Sequence, residues 1–401
     1  MNLDGNRASI TDAIDAGLLS GAVTLVWQSG EVLQVNELGY RDVEARLPMQ
    51  RDTMFRIASM TKPITVAAAM SLVDEGRLAL TDPVTKWLPE LSQMRVMTDV
   101  HGALDDTVPA ERPITIDDLM THRSGLAYAF AVLGPLARAY GKLSHRQDQD
   151  DWLADLAELP LAHQPGARLT YSVSTDVLGI VLSRIEDKPL PQVLSERIFE
   201  PLGMPDTGFS VGPTGRQRAA TMYALGDDGT LHHNSMGPAR IADPPLCSGG
   251  AGLWSTADDY LRFARMLLAG GTLDGVRVMS EESTRLMRTD RLTDEQKRYP
   301  FLGNPYWIGR GFGLNLSVVT DPAKSRQLFG PGGKGTFTWP GAYGTWWQAD
   351  PSADLILIYL VQNGPDMSAD AAAAVAGNTS LARLQSVQPK FVRRTYRALE
   401  I

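Results

Sequence analysis

A proline decides where one helix of this chain can begin. In "FRIASMTKPI", residues 55–64, Pro63 stands at the head of a run rich in Ala, Met, Val and Leu that extends to about Gly76. Proline lacks an N–H, and its ring collides with the carbonyl four residues earlier, so it fits only in a first helical turn. Four residues before Pro63 is Ser59. The helix is therefore expected to start at Ser59 and to stop near Gly76. That start places the Ser59 side chain and N–H at the positive end of the helix dipole, where developing negative charge is favoured. Lys62, three residues on, shares its face and can approach the hydroxyl. A partly desolvated lysine can accept a serine proton as general base. The spacing alone is weak, because chance supplies roughly half of one such Ser-x-x-Lys pair in a chain of this composition. Here it is the only one.

Acyl transfer through a serine also needs a proton relay to the leaving group and an oxyanion hole. "RLTYSVSTDVLG" offers Tyr171 as relay, just ahead of a predicted helix and after the turn residues Pro165 and Gly166. "TFTWPGAYGTWW" offers a strand in which Gly341 permits close backbone approach and the next N–H, of Ala342, can point at a carbonyl oxygen. A tyrosine or a glycine-kinked strand in such places more often serves only packing. The order and spacing of the parts nevertheless agree.

Around these candidates the chain begins helix, strand, strand: "ASITDAIDAGLL" is amphipathic, and "GAVTLVWQSG" and "EVLQVNELGY" form a hairpin. The runs "GFGLNLSVV", "RQLFG", "GTFTWPG", "AYGTWWQADP" and "DLILIYLVQN" read as an antiparallel meander, preceded by a helix at "TADDYLRFARMLLAGG" and followed by a helical "MSADAAAAVAG". Between them, "DDWLADLAEL" and "STDVLGIVLSRIED" are helical pieces among Pro- and Gly-rich connections. The expected organisation is α+β: a discontinuous α/β domain of residues 1–82 and 246–401, its two chain ends together, and a mostly helical domain of residues 83–245.

A net charge of −8 and a pI near 5.3 argue against a nucleic-acid or anionic-membrane surface, leaving a small molecule as the expected partner. With a single cysteine, Cys247, no apolar run of spanning length and no basic-then-apolar leader, the expected location is cytoplasmic.

On the blocks quoted above, together with "LALTDPVTKWLPEL", "ITIDDLMTHRSGLAY", "IFEPLGMPDTGF" and "SGGAGLWSTADDYLRF", the chain resembles the serine β-lactamase and penicillin-binding superfamily, most of all the class C-like family VIII carboxylesterases. The resemblance covers most of the chain. It implies Ser59 as nucleophile, Lys62 as general base, Tyr171 as the partner moving the proton, and the N–H groups of Ser59 and Ala342 as oxyanion hole. It implies an antiparallel sheet flanked by terminal helices, with a helical domain alongside and the site in the cleft between. No metal or cofactor is implied.

Departures from the pattern choose within the superfamily. The tyrosine motif usually ends in Asn, where this chain has Val173, and a Lys-Thr-Gly-like motif is replaced by Trp339-Pro340-Gly341. A lysine there would bind a substrate carboxylate, whereas tryptophan offers an apolar wall. The expected substrate is thus an uncharged, short-acyl ester. Pro340, where the esterases usually have glycine, is expected to stiffen this strand. Tyr128, Trp339 and Gly341 are the substrate-side candidates, with Trp307 and Trp346 behind them and core packing open for each aromatic. β-Lactamase, D-aminopeptidase, amidase, acyltransferase and non-catalytic sensor readings stand as alternatives. Several other signals carry less. Lys334-Gly335-Thr336 has the wrong order for the missing motif, and "GPGGKG" reads as a hairpin turn. His122 lacks an acidic orienter, His232-His233 lacks metal-ligand spacing, and no nucleophile elbow surrounds Ser59.

Overall fold

The hairpin forms as read, with strand β1 at Gly21–Gln28 and β2 at Glu31–Asp42, and it is the nucleus of a larger sheet. The computed structural model describes residues 2–226, 228–234, 244–364 and 379–401. Leu47–Pro48 (β3) extends the sheet beyond β2, and Arg310–Phe312 (β4), Ser317–Val319 (β5), Phe337–Thr338 (β6), Trp346–Asp350 (β7) and Leu355–Leu360 (β8) complete it. The eight strands run in the order β4-β5-β6-β7-β8-β1-β2-β3, every pair antiparallel.

The central strand explains why the sheet is covered on both sides. "LILIYL" of β8 is buried throughout, and a pleated strand alternates its side chains between faces. Ile356, Ile358 and Leu360 join the main core with Val23 and Leu25, while Leu355, Leu357 and Tyr359 join a second core with Ala22 and Val26. That second core is closed by helix α1 (Asp4–Asp15) and the C-terminal helix Val387–Ala398, whose Phe391 is fully buried. Asn6 Nδ2 donates to Thr395 Oγ1 at 2.8 Å, so the two chain ends do pack together. Trp346 belongs to this terminal-helix core, which places it on the sheet face opposite the main core.

Helix α2 (Thr61–Asp74) lies on the main-core side, with Gly76 in the left-handed region at its end. Pro63 is its third residue, where no N–H bond is needed. Ser59 falls in a single 3₁₀ turn, Ala58–Met60, that leads into the helix. Helix α3 (Ser174–Glu186) packs against α2, and α4 (Ala257–Leu268) against the sheet.

Two readings are corrected. "RQLFG" is not a strand but the end of a helix, Pro322–Phe329, whose cap is Asp321 accepting from the Lys324 N–H, with Pro322 in the first turn. An Asp-Pro start outweighs a short β-like run. "GPGGKG" consequently joins a helix to β6 rather than two strands. Small hairpins at Arg95–Met97 with Thr107–Pro109 and at Tyr223–Leu225 with Leu231–His233 interrupt the helical middle of the chain. "MSADAAAAVAG" lies outside the described residues.

Because Phe391 fills the second core, Phe391→Ala is expected to cost about 3–5 kcal/mol of stability. Thermal melting should show the loss, with activity per folded molecule preserved.

Candidate active site

The backbone is strained where Ser59 is presented. Ala58, immediately before it, holds φ at +45°, a left-handed conformation costing a non-glycine residue roughly 1–2 kcal/mol. Neighbouring bonds enforce it. Ile57 N–H donates to Leu253 O at 3.0 Å, Tyr260 OH to Met60 O at 3.0 Å, and Leu253 N–H to Thr61 Oγ1 at 3.2 Å. Ser59 alone among residues 53–70 is half-exposed, the rest being buried. The turn turns one hydroxyl outward.

Two groups reach that hydroxyl. Tyr171 OH donates to Ser59 Oγ at 2.8 Å, and Lys62 Nζ lies 3.3 Å from the same oxygen. Lys62 has no exposed surface. Its Nζ also meets Gly250 O at 2.7 Å and Tyr128 OH at 3.2 Å, and lies 4.7 Å from the centre of the Tyr171 ring. Tyr171 is fixed by its backbone, since Thr170 N–H donates to His122 O at 2.9 Å and Tyr128 N–H to Tyr171 O at 3.1 Å. The three residues singled out for proton chemistry are therefore brought together, Ser59 and Lys62 from the 58–60 turn and α2, and Tyr171 from the segment before α3.

Trp339 leaves β6 toward the same point. It is 2% exposed, and its indole Nε1–H donates to Tyr171 OH at 3.2 Å. That bond occupies a lone pair of the phenol and leaves its proton for Ser59. Trp307 is buried in the aromatic cluster beside it, against Phe301, Tyr306 and Phe312. Phe130 stacks on Tyr128 with ring centres 5.1 Å apart and is exposed, so an apolar rim lies beside Tyr171. Lys334 is exposed in the turn that enters β6, whereas Trp339 leaves it.

Gly341 and Ala342 lie in a tight turn between β6 and β7 rather than on a strand. The close approach that requires glycine is to the protein itself. A Cβ on Gly341 would collide with Thr345 Oγ1 and with the carbonyl of Ile57, two residues before Ser59. The turn is pinned by Gly341 N–H to Thr345 O at 2.7 Å. Ala342 is exposed, and among the described residues neither its N–H nor that of Ser59 is bonded to another backbone group outside regular elements.

His122 is fully buried, with Nδ1 3.0 Å from Ser172 Oγ and its ring edge on Tyr171, and it does not reach Ser59. Burial, and then the neighbouring Lys62, holds this imidazole well below its usual range, so it stays neutral. Burial and then the Asp176 carboxylate push the Tyr128 hydroxyl well above the ordinary tyrosine range. Asp176, Gly250 and the indole N–H of Trp339 were not legible as site groups. Asp176 reads as an ordinary acid in a first helical turn; the pair Gly249-Gly250 was the one signal of close packing.

A model of the beta-lactamase family matches residues 7–379. The chain belongs to that family. It is 69% identical, over the whole of both chains, to Protein Rv1367c of Mycobacterium tuberculosis. It is 34% identical to Esterase EstB of Burkholderia gladioli across 85% of this chain and 86% of that protein. Among solved structures, EstCE1, described as a hydrolase with promiscuous acyltransferase activity, superposes with a TM-score of 0.76 at 27% identity, covering 96% of this chain and 98% of that one. Simvastatin synthase from Aspergillus terreus gives a TM-score of 0.80 at 25% identity, over 98% and 97%. The fold is β-lactamase-like and the protein is a serine hydrolase by family. Among the described residues, no helix is long and apolar enough to cross a membrane.

The contact of Gly341 with Ile57 ties the Ala342 turn to the Ser59 turn. Gly341→Ala is expected to cost about 1–3 kcal/mol of stability and to slow reaction at Ser59. Melting and acylation rates measured together check this.

Proposed function

We propose that this protein is a carboxylesterase for uncharged, short-acyl esters, acting through an acyl-enzyme on Ser59. The observation that carries the reading is the Ser59 hydroxyl held jointly by Tyr171 OH at 2.8 Å and Lys62 Nζ at 3.3 Å. Ser59 Oγ attacks the ester carbonyl while its proton passes to the Lys62 amine. The N–H groups of Ser59 and Ala342 receive the oxyanion, each such donor being worth about 10²–10³ in rate. Tyr171 gives a proton to the departing alkoxide and regains one from Lys62, and water then releases the acid by the reverse proton path. Trp339 in place of a lysine supports an uncharged substrate, and Tyr128 and Trp339 form its apolar side, with Gly341 holding the turn behind them. The similarity to Esterase EstB supports the reaction type.

Transfer of the acyl group to an alcohol is a second reading. It is favoured by similarity to EstCE1 and to Monacolin J acid methylbutanoyltransferase of Aspergillus terreus, 28% identical over 335 residues. Only the acceptor differs between the two.

The test is burst-phase hydrolysis of a p-nitrophenyl short-chain ester beside nitrocefin, with intact mass spectrometry. The expected result is acyl mass on Ser59, with Ser59→Ala slower by about 10³-fold or more. Added primary alcohol should leave the burst unchanged and divert product to a new ester if the acceptor is not water. Dominant nitrocefin turnover would reverse the assignment.

A further inference from the structure

Asp176 is nearly fully buried in the first turn of α3 and touches neither Ser59 nor Tyr171 through a hydrogen bond. Its Oδ2 accepts from Tyr128 OH at 3.1 Å, and its Oδ1 accepts from Gly250 N–H at 3.2 Å and from the Ser248 hydroxyl. Tyr128 OH and Gly250 O are two of the three groups around Lys62 Nζ. One carboxylate thus fixes both sites that compete with Ser59 for the lysine. Only glycine fits at position 250, as a Cβ there would lie 2.7 Å from Asp176 Oδ2 and 2.9 Å from Tyr128 OH.

We propose that Asp176 is a positioning residue that aims the lone pair of Lys62 at Ser59 by claiming the Tyr128 proton; this rests on the Ser59–Lys62 chemistry proposed above. A neutral amine has two N–H bonds and one lone pair. Tyr128 has one proton, and with that proton given to Asp176 its oxygen can only accept from Lys62. Gly250 O can also only accept. When Lys62 is in its base form both N–H bonds are then used, which leaves the lone pair for the Ser59 hydroxyl, 3.3 Å away. Were the phenol proton free to turn, it would bind that lone pair and the base would be quenched. Burial and the neighbouring carboxylate keep Tyr128 protonated, as this arrangement requires.

Asp176→Asn separates this role from support of the fold. The asparagine oxygen still accepts from Gly250 N–H and Ser248, but its amide donates to Tyr128 and turns the phenol proton toward Lys62. The readout is phosphonylation of Ser59 by a fluorophosphonate, followed by mass spectrometry, which reports activation of the nucleophile whatever the substrate is. Asp176→Asn is expected to slow it by about 10- to 10²-fold. Adding Tyr128→Phe should cost nothing further or restore part of the rate, because the competing proton is gone. Losses that multiply, or an Asp176→Asn rate within two-fold of wild type, would overturn the proposal. Should Asp176→Asn not fold, Tyr128→Phe alone, which leaves Asp176 in place but removes the acceptor that fixes one Lys62 N–H, is expected to slow phosphonylation, and an unchanged rate overturns the proposal equally. Normal phosphonylation without ester turnover would instead indict the esterase reading alone.

Discussion

The amine of Lys62 has no contact with solvent, and three groups, two of them from distant parts of the chain, surround it there: Ser59 Oγ, Tyr128 OH and Gly250 O. Burying a polar amine is costly unless its hydrogen bonds are replaced. The partners therefore have to be in place whenever the core is. Residues 1–82 and 246–401 supply Ser59, Lys62, Gly250 and Trp339, and residues 83–245 supply Tyr128, Tyr171 and Asp176.

The rest of the fold serves this placement. The sheet is buried on both faces, with α4 packed on its main-core side and α2 packed in turn against α3, so the start of α2 is set within a packed core. Strain at Ala58 is held by bonds to Leu253 and Tyr260 around it. Gly341 ties the outgoing turn of β6 to the Ile57 carbonyl. Together these tie the turn that carries Ser59 to the turn that carries Ala342, the residues of the two proposed oxyanion donors.

What the sequence made legible follows from chemistry that is local. Pro63 located the helix start to within two residues because a missing N–H allows few positions. The β1–β2 hairpin and the β8 strand were legible because their side-chain periods are short. The 322–329 helix was misread in its "RQLFG" half because five residues give no period, and the Asp-Pro signal lay outside them. Asp176 stayed hidden for a different reason. Its partners Tyr128 and Gly250 lie 48 and 74 residues away in sequence, and no local pattern distinguishes an acid that caps a helix from one that holds a base. Trp339 was legible as an apolar substitute for lysine, but its hydrogen bond to Tyr171 depends on a ring orientation that only packing fixes.

The central claim is that a serine activated by a buried lysine faces two backbone donors. A crystal structure after reaction with a p-nitrophenyl alkylphosphonate tests it most directly. The account predicts phosphorus bonded to Ser59 Oγ, its oxygen within hydrogen-bonding distance of the N–H groups of both Ser59 and Ala342, and Tyr171 OH beside the leaving-group position. Phosphorus on another residue, or on Ser59 with its oxygen turned away from Ala342, would contradict it.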